Sequence, residues 1–204
     1  DGANNLMKPL IYTEVFYLLV FLFVFLAWSL SELLGPARWK GSDESEKRDR
    51  WSMYVLASTS TLGFGCFWLF PLIFPWTTVP ATLQHLAFFL GVGLAAAGLW
   101  LRWSAIRTLG RYFTGQVMIH ADQVVVQRGP YSFVRHPSYS GILLVAIGLG
   151  LMMTNWASLV AFPTGMFLGL LYRMNVEEQE LLHHHSEVYK DYMRRTKRLI
   201  PYIF

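Results

Sequence analysis

Charged residues are spaced so that they divide the chain into long apolar runs and short polar breaks. Between Glu14 and Glu32 lie 17 uncharged residues, Val15 to Ser31, dense in Phe, Leu and Val. Their flanks extend the run to Leu10–Leu34, enough for a spanning helix, since about 20 apolar residues cross the hydrocarbon core of a bilayer. The run is too long for a secretory signal, no small-residue cleavage site follows it, and only Lys8 precedes it. Gly35 to Arg50 is polar and charged and reads as a loop. From Trp51 to Leu101 there are 51 residues without Asp, Glu, Lys or Arg, too many for one crossing. Pro71, Pro75 and Pro80 break this stretch, because proline lacks a backbone donor and clashes inside a helix. Two helices are predicted, about Trp51–Phe70 and Ala81–Ile106. A second uncharged run, His136 to Tyr172, is divided at Thr154-Asn155-Trp156 into a short helix from Tyr139 and a longer one ending beyond Tyr172. The tail from Arg173 is polar and closes on Leu199-Ile200-Pro201-Tyr202-Ile203-Phe204. Neither an internal repeat nor a low-complexity segment is visible.

The pattern predicts an all-α integral membrane protein with five transmembrane helices. Basic residues orient it, because Lys and Arg concentrate on the cytosolic side of a membrane. Five lie in Arg38–Arg50, five arginines in Arg102–Arg135, and six basic residues from Arg173 onward. With the N-terminus outside, all sixteen fall on the cytosolic side with the C-terminus, and Lys8 alone does not. The chain reads as a single membrane domain, 1–204. Residues 1–107 hold the first three helices, residues 108–204 form the second half, and residues 1–6 read as an appended remnant before a native start at Met7.

Composition agrees. Of 204 residues, 54% are hydrophobic and 15% charged, against roughly 25% charged in a soluble domain; disorder is excluded. The net charge of +4 and basic pI do not indicate a nucleic-acid partner, because the basic residues border membrane helices. Cys66 is the sole cysteine, so an internal disulfide or a cysteine-based zinc cluster is excluded.

Candidate chemistry falls in two places. The first is the excursion Thr108–Ser138, a length of loop that is usually functional, ending in Arg135-His136-Pro137-Ser138-Tyr139. Gly129-Pro130 marks a turn, and Pro137 suits the first turn of a helix. The same residues also fit an interfacial anchor. The second follows the last long helix. Arg173, Glu177, Glu180 and His184 are spaced four, three and four, so they share one helical face, and Glu178 points elsewhere. A plain Arg173–Glu177 helix pair, worth about 0.2–0.5 kcal/mol, fits this spacing as well. Ionisable residues near a membrane core nevertheless mark substrate pathways. His183-His184-His185 point in three directions on a helix and read as solvated, so no metal is expected.

Arg135-His136-Pro137-Ser138-Tyr139, an apolar helix and then Glu177-Glu178 resemble the isoprenylcysteine carboxyl methyltransferases and their phospholipid methyltransferase relatives. The likeness extends from about Leu109 to Phe204. It includes Gly129-Pro130-Tyr131 and the later Tyr189, Tyr192, Thr196, Arg198 and Pro201. His185-Ser186 stands where a Phe-Gly pair is usual. Five helices, not the eight of animal members, make the chain similar to the shorter microbial or fungal-type members. The resemblance implies S-adenosylmethionine as cofactor, in a pocket formed by the loop between helices three and four and the C-terminal half. It implies Gln116, Gln123, Val124, Val125, Val126, Tyr131, His136, Pro137, Ser138 and Tyr139 as the pocket lining, and Glu177 at the cofactor's amino-acid end. Arg173 would face a lipophilic acceptor, such as a prenylated cysteine, arriving from the bilayer, with Arg173 and Glu177 as the catalytic pair. The membrane would be the endoplasmic reticulum in a eukaryote and the cytoplasmic membrane in a prokaryote.

Methyl transfer from a sulfonium is an in-line displacement, so positioning is its main demand. A carboxylate acceptor needs no general base, and an arginine can orient it through paired hydrogen bonds in a dry site. An amine or thiol acceptor would need a base, and Glu177 or Tyr139 is available. Trp156 and Tyr172 could wall an apolar acceptor or simply face lipid. Two other functions compete. The ending Arg198–Phe204 is also similar to NADPH-dependent sterol reductases, which more typically carry Asn where Ser138 stands. A membrane protein keeping this fold without turnover is the other.

Overall fold

Each uncharged run becomes helix, and each break falls where local chemistry ends one. A computed structural model of the chain describes residues 8–38, 46–47, 51–113, 118–119 and 125–204. In chain order the elements are α1 (Leu10–Thr13), α2 (Val15–Arg38), β1 (Glu46–Lys47), α3 (Ser52–Ile73), α4 (Ala81–Leu109), β2 (Met118–Ile119), α5 (Pro137–Met152), α6 (Trp156–His184) and α7 (Ser186–Arg195). β1 and β2 form a two-residue antiparallel ladder, with Glu46 opposite Ile119 and Lys47 opposite Met118. Everything else regular among the described residues is helical.

Among the described residues, four helical segments are long and apolar enough to cross a membrane: Val15–Leu34, Ser52–Ile73, Ala81–Tyr112 and Trp156–His184. Pro137–Met152 is apolar but has only 16 residues, about 24 Å at 1.5 Å per residue, short of the roughly 30 Å hydrocarbon core. The expected fifth helix is therefore present, with less than a full crossing length. Much of this apolar surface points outward. In α3 only 17% of the most apolar stretch is buried inside the protein, and Leu19, Phe23, Leu26, Leu62, Leu69, Leu86 and Phe89 are exposed. Lipid is the solvent such a surface suits.

Inside, small residues set the helix spacing. A Cβ added to Gly98 would lie 2.6 Å from the Gly141 carbonyl oxygen, and one on Gly148 2.6 Å from that of Gly91, so α4 and α5 touch backbone to backbone. α3 and α6 do the same: a Cβ on Gly165 would lie 2.5 Å from the Thr59 carbonyl. Apolar side chains gain nothing by leaving lipid for one another. Close van der Waals contact at small residues therefore drives such pairing. Phe21, Phe67, Phe88, Leu149, Phe162 and Leu170 fill the core between the pairs.

The breaks differ slightly from expectation. The first helix is interrupted at Glu14, whose backbone is extended (φ −135°, ψ 124°), and α2 continues through Arg38. Pro71 does not end α3 but sits within its last turn. The Phe67 carbonyl, which a residue 71 amide would have satisfied, instead accepts the Ser158 hydroxyl at 2.8 Å. Asn155 starts α6 as expected, its Oδ1 accepting from the Ser158 amide at 3.0 Å.

Candidate active site

The motif is held at one end of the bundle by three backbone devices. Gly129 has φ +59°, a left-handed conformation that favours glycine. The 3-10 turn Gly129–Ser132 that it opens rests on α4, where a Cβ on Gly129 would meet Thr108 Oγ1 at 3.1 Å. Pro137 occupies the first position of α5, where its missing amide costs nothing. The tail then folds back beside the motif: the Arg135 amide donates to the Lys197 carbonyl at 2.8 Å and the His136 amide to that of Arg198 at 2.9 Å. The Ser140 hydroxyl donates to the Leu199 carbonyl at 2.7 Å.

α6 meets this end with two adjacent carboxylates, each in its own cluster. Glu177 Oε1 accepts the Tyr139 hydroxyl and lies 3.2 Å from Arg173 Nε, while its Oε2 is 3.5 Å from His136 Nδ1. Arg173 Nε also donates to the Tyr139 oxygen at 2.9 Å, and Nη1 to Ser52 Oγ at 3.3 Å. The His136 and Tyr139 rings stack at 5.5 Å with 5° between planes. On the other side, Glu178 Oε1 accepts from Arg135 Nε at 2.9 Å and faces His136 Nε2 at 3.1 Å. Its Oε2 accepts from Arg198 Nη2 at 2.7 Å and Nε at 3.0 Å. Arg135 also donates to the Thr196 carbonyl.

The two carboxylates differ in access. Glu178 has a side chain 4% exposed and Glu177 one 22% exposed, so Glu178 is sealed in ion pairs and Glu177 remains open to a partner. His136 joins them, one ring nitrogen to each. Burial alone lowers its pKa, but the hydrogen bonds and charges of Glu177 and Glu178 reverse this and hold it above the ordinary histidine value. Protonated, both ring nitrogens donate. Among the described residues, Arg135, Arg173 and Arg198 face Glu177 and Glu178 here.

The structure brings Arg173, Glu177, His136 and Tyr139 together as one hydrogen-bonded group and puts the other described candidates around it. Pro137 starts α5. Ser138 Oγ accepts from Arg102 Nη1 at 2.7 Å, and Arg102 Nη2 pairs with Glu32 Oε2 at 2.5 Å. Tyr131 is buried, and its carbonyl accepts the Tyr192 hydroxyl at 2.6 Å. Burial pushes the Tyr192 phenol up to about 12, so it remains a donor. Val125 and Val126 are half-buried in irregular backbone, not in a strand. Gln116, Gln123 and Val124 lie outside the described residues. On the α6 face, His184 is exposed beside His183, and α6 ends there. Trp156 and Tyr172 are 47% and 41% exposed, as lipid-facing aromatics would be.

Helical spacing directs Glu178 away from the Arg173–Glu177 face, and the structure places it in a cluster of its own. The returning tail provides a second wall there, so Glu178 becomes the anchor for Arg135, His136 and Arg198. The Arg102–Glu32 pair, which joins the charged ends of the apolar runs of α4 and α2, was missed from the sequence. A charge just inside the end of an apolar run is a signal that could have found both.

Comparison with known proteins agrees with the likeness carried by these residues. Residues 91–183 match the model of the isoprenylcysteine carboxyl methyltransferase (ICMT) family. Protein-S-isoprenylcysteine O-methyltransferase B of Arabidopsis thaliana is 32% identical over 115 residues, covering 55% of this chain and 58% of that protein. Protein-S-isoprenylcysteine O-methyltransferase of Saccharomyces cerevisiae is 36% identical over 116 residues, covering 56% and 48%. The chain thus spans about half the length of the curated relatives it matches. A solved structure of the eukaryotic intramembrane Ras methyltransferase ICMT superposes with a TM-score of 0.56 at 25% identity, covering 76% of this chain and 55% of that one.

Proposed function

We infer that this chain is a member of the isoprenylcysteine carboxyl methyltransferase family and transfers a methyl group from S-adenosylmethionine to a lipophilic acid, with a prenylated cysteine carboxylate as the best-fitting acceptor. It would do so from five membrane helices, the short α5 included, with the N-terminus outside and the site at the cytosolic face. The observation that carries the reading is the Arg173–Tyr139–Glu177–His136 group, which lies within the family-matched residues and joins a guanidinium to a partly open carboxylate.

The donor set suits this cofactor. Glu177 is 22% exposed at its side chain and can accept from the cofactor's ammonium. Tyr131, His136, Pro137, Ser138 and Tyr139, with Gln116, Gln123, Val124, Val125 and Val126, are proposed to line the rest of the pocket. When bound, S-adenosylmethionine supplies an electrophilic methyl on a sulfonium. Arg173 would orient the acceptor carboxylate, which a guanidinium binds in forked geometry and an amine acceptor does not offer. No proton has to be removed from a carboxylate, so Glu177 is free to hold the cofactor. Tyr139, hydrogen-bonded to both Arg173 and Glu177, would fix their separation, which is what an in-line transfer demands.

Calorimetric titration of the detergent-solubilised chain with S-adenosylmethionine and, separately, with NADPH tests the assignment. Binding of the first, weakened at least tenfold by Glu177→Ala, is the expected result. Binding of NADPH alone would refute it in favour of a reductase, and binding of neither would favour a protein without turnover.

A further inference from the structure

A second polar concavity opens at the same end of the bundle, outside the Arg173–Glu177 group. It has a volume of about 430 Å³, within the usual range of small-ligand sites. Trp100, Trp103, Ser104, Arg107 and Thr108 line it from the last turns of α4, and Arg128 with Gly129 from the turn resting on that helix. Residues 100, 103, 104, 107 and 108 share one helical face. The contact of Gly129 with Thr108 brings Arg128 to the same groove.

Its cations are of a different kind from those of the site. Arg102, Arg135, Arg173 and Arg198 are all engaged by carboxylates. Arg107 and Arg128 are exposed, and neither has a hydrogen bond or ion pair among the described residues. Two unpaired guanidinium groups and the Ser104 hydroxyl suit a phosphate, which guanidinium binds in forked geometry. The apolar side of the groove says where that phosphate comes from. Trp100 is 72% exposed and tryptophan favours the membrane–water boundary. Below it, Ala97, Gly93, Leu90 and Leu86 are exposed at successive helical turns of α4. A Cβ at Gly93 would meet nothing within 4 Å, so Gly93 and Ala97 leave the exposed surface of α4 low between Trp100 and Leu90, where an acyl chain can lie against it.

We propose that the Arg107–Arg128 groove binds the phosphate headgroup of an anionic phospholipid, with an acyl chain along the Gly93–Ala97 face of α4. A phosphate ester bearing its own negative charge, with no compensating choline or ethanolamine, matches two unpaired cations. Basic pockets at helix ends are where such headgroups are held.

The test is native mass spectrometry of the full chain released from nanodiscs of equimolar dioleoylphosphatidylglycerol and dioleoylphosphatidylcholine. Bound phosphatidylglycerol should exceed phosphatidylcholine at least fivefold. Arg107→Gln with Arg128→Gln should bring the ratio to about one, and Lys190→Gln with Arg194→Gln, which removes equal charge from exposed positions on α7, should leave it unchanged. Equal retention of both lipids by the parent chain would overturn the proposal, as would selectivity that survives in the first variant or falls equally in the second. A parallel arm adds inorganic phosphate in millimolar excess. Displacement of the lipid by phosphate would assign the groove to a soluble anion and overturn the lipid proposal.

Discussion

Replacing Glu178 by glutamine should unfold this protein more readily than any comparable change at Glu177. The substitution keeps the shape and removes the charge that Arg135, His136 and Arg198 share. Breaking a buried ion pair from one side costs about 3–5 kcal/mol, because the remaining charge loses its partner without regaining water. Arg135 is 8% exposed and cannot rehydrate, whereas Arg198 is 25% exposed and can in part. We therefore take the low end, about 3 kcal/mol, or a fall in Tm of about 6–12 °C for a chain of this size. Thermal unfolding in detergent, followed by tryptophan fluorescence, measures it. Glu177→Gln serves as the comparison, since it takes a carboxylate from one guanidinium, Arg173, and not from two, and it should lose less. Adding Arg198→Ala to the Glu178→Gln variant should recover part of the loss, because one fewer cation is left unpaired. A Tm within 2 °C of the parent would show that Glu178 does not anchor the tail to the motif.

Three further outcomes follow from the same geometry. Arg173→Ala and Glu177→Ala should each reduce methyl transfer at least 100-fold while lowering Tm by only a few degrees; wild-type turnover by both, measured with labelled cofactor, would remove them from the site. Gly98→Val should destabilise by about 1–3 kcal/mol, as overpacking does, because even its Cβ would lie 2.6 Å from the Gly141 carbonyl; an unchanged Tm would contradict the close α4–α5 contact. His136 has a raised pKa in the folded chain, so its stabilising charge is fully present below the unfolded value near 6.5 and is lost as pH rises through the folded value. The Tm difference between the parent and His136→Asn should therefore shrink as pH increases from 6 upward, and a difference that grows instead would reverse the assigned sign.

The helices were legible because charge is costly in lipid, so an uncharged run of spanning length has few alternatives. Local chemistry was legible too: Gly129-Pro130 forms the turn and Asn155 caps α6. The Arg173–Glu177 contact followed from helical spacing, and Tyr139 from its place in the motif. What the sequence did not reveal depends on the route of the returning tail. Glu178 acquires its partners from residues 43 and 20 positions away, and no periodicity encodes that. Pro71 misled for a related reason. The rule that proline ends a helix assumes an unsatisfied carbonyl, but Ser158 on another helix satisfies it. The lengths of the helices were readable, whereas the pairing of α4 with α5 and α3 with α6 rests on glycines whose partners only the fold identifies.

The most direct test of the functional account is methyl transfer from labelled S-adenosylmethionine to N-acetyl-S-farnesylcysteine and to phosphatidylethanolamine, assayed in parallel with the reconstituted chain. Base-labile label on the farnesylcysteine, as expected of a methyl ester, with little on the lipid, is the result the Arg173-centred site requires. Label only on the phosphatidylethanolamine would contradict it, because an amine acceptor needs a base and gains nothing from an arginine.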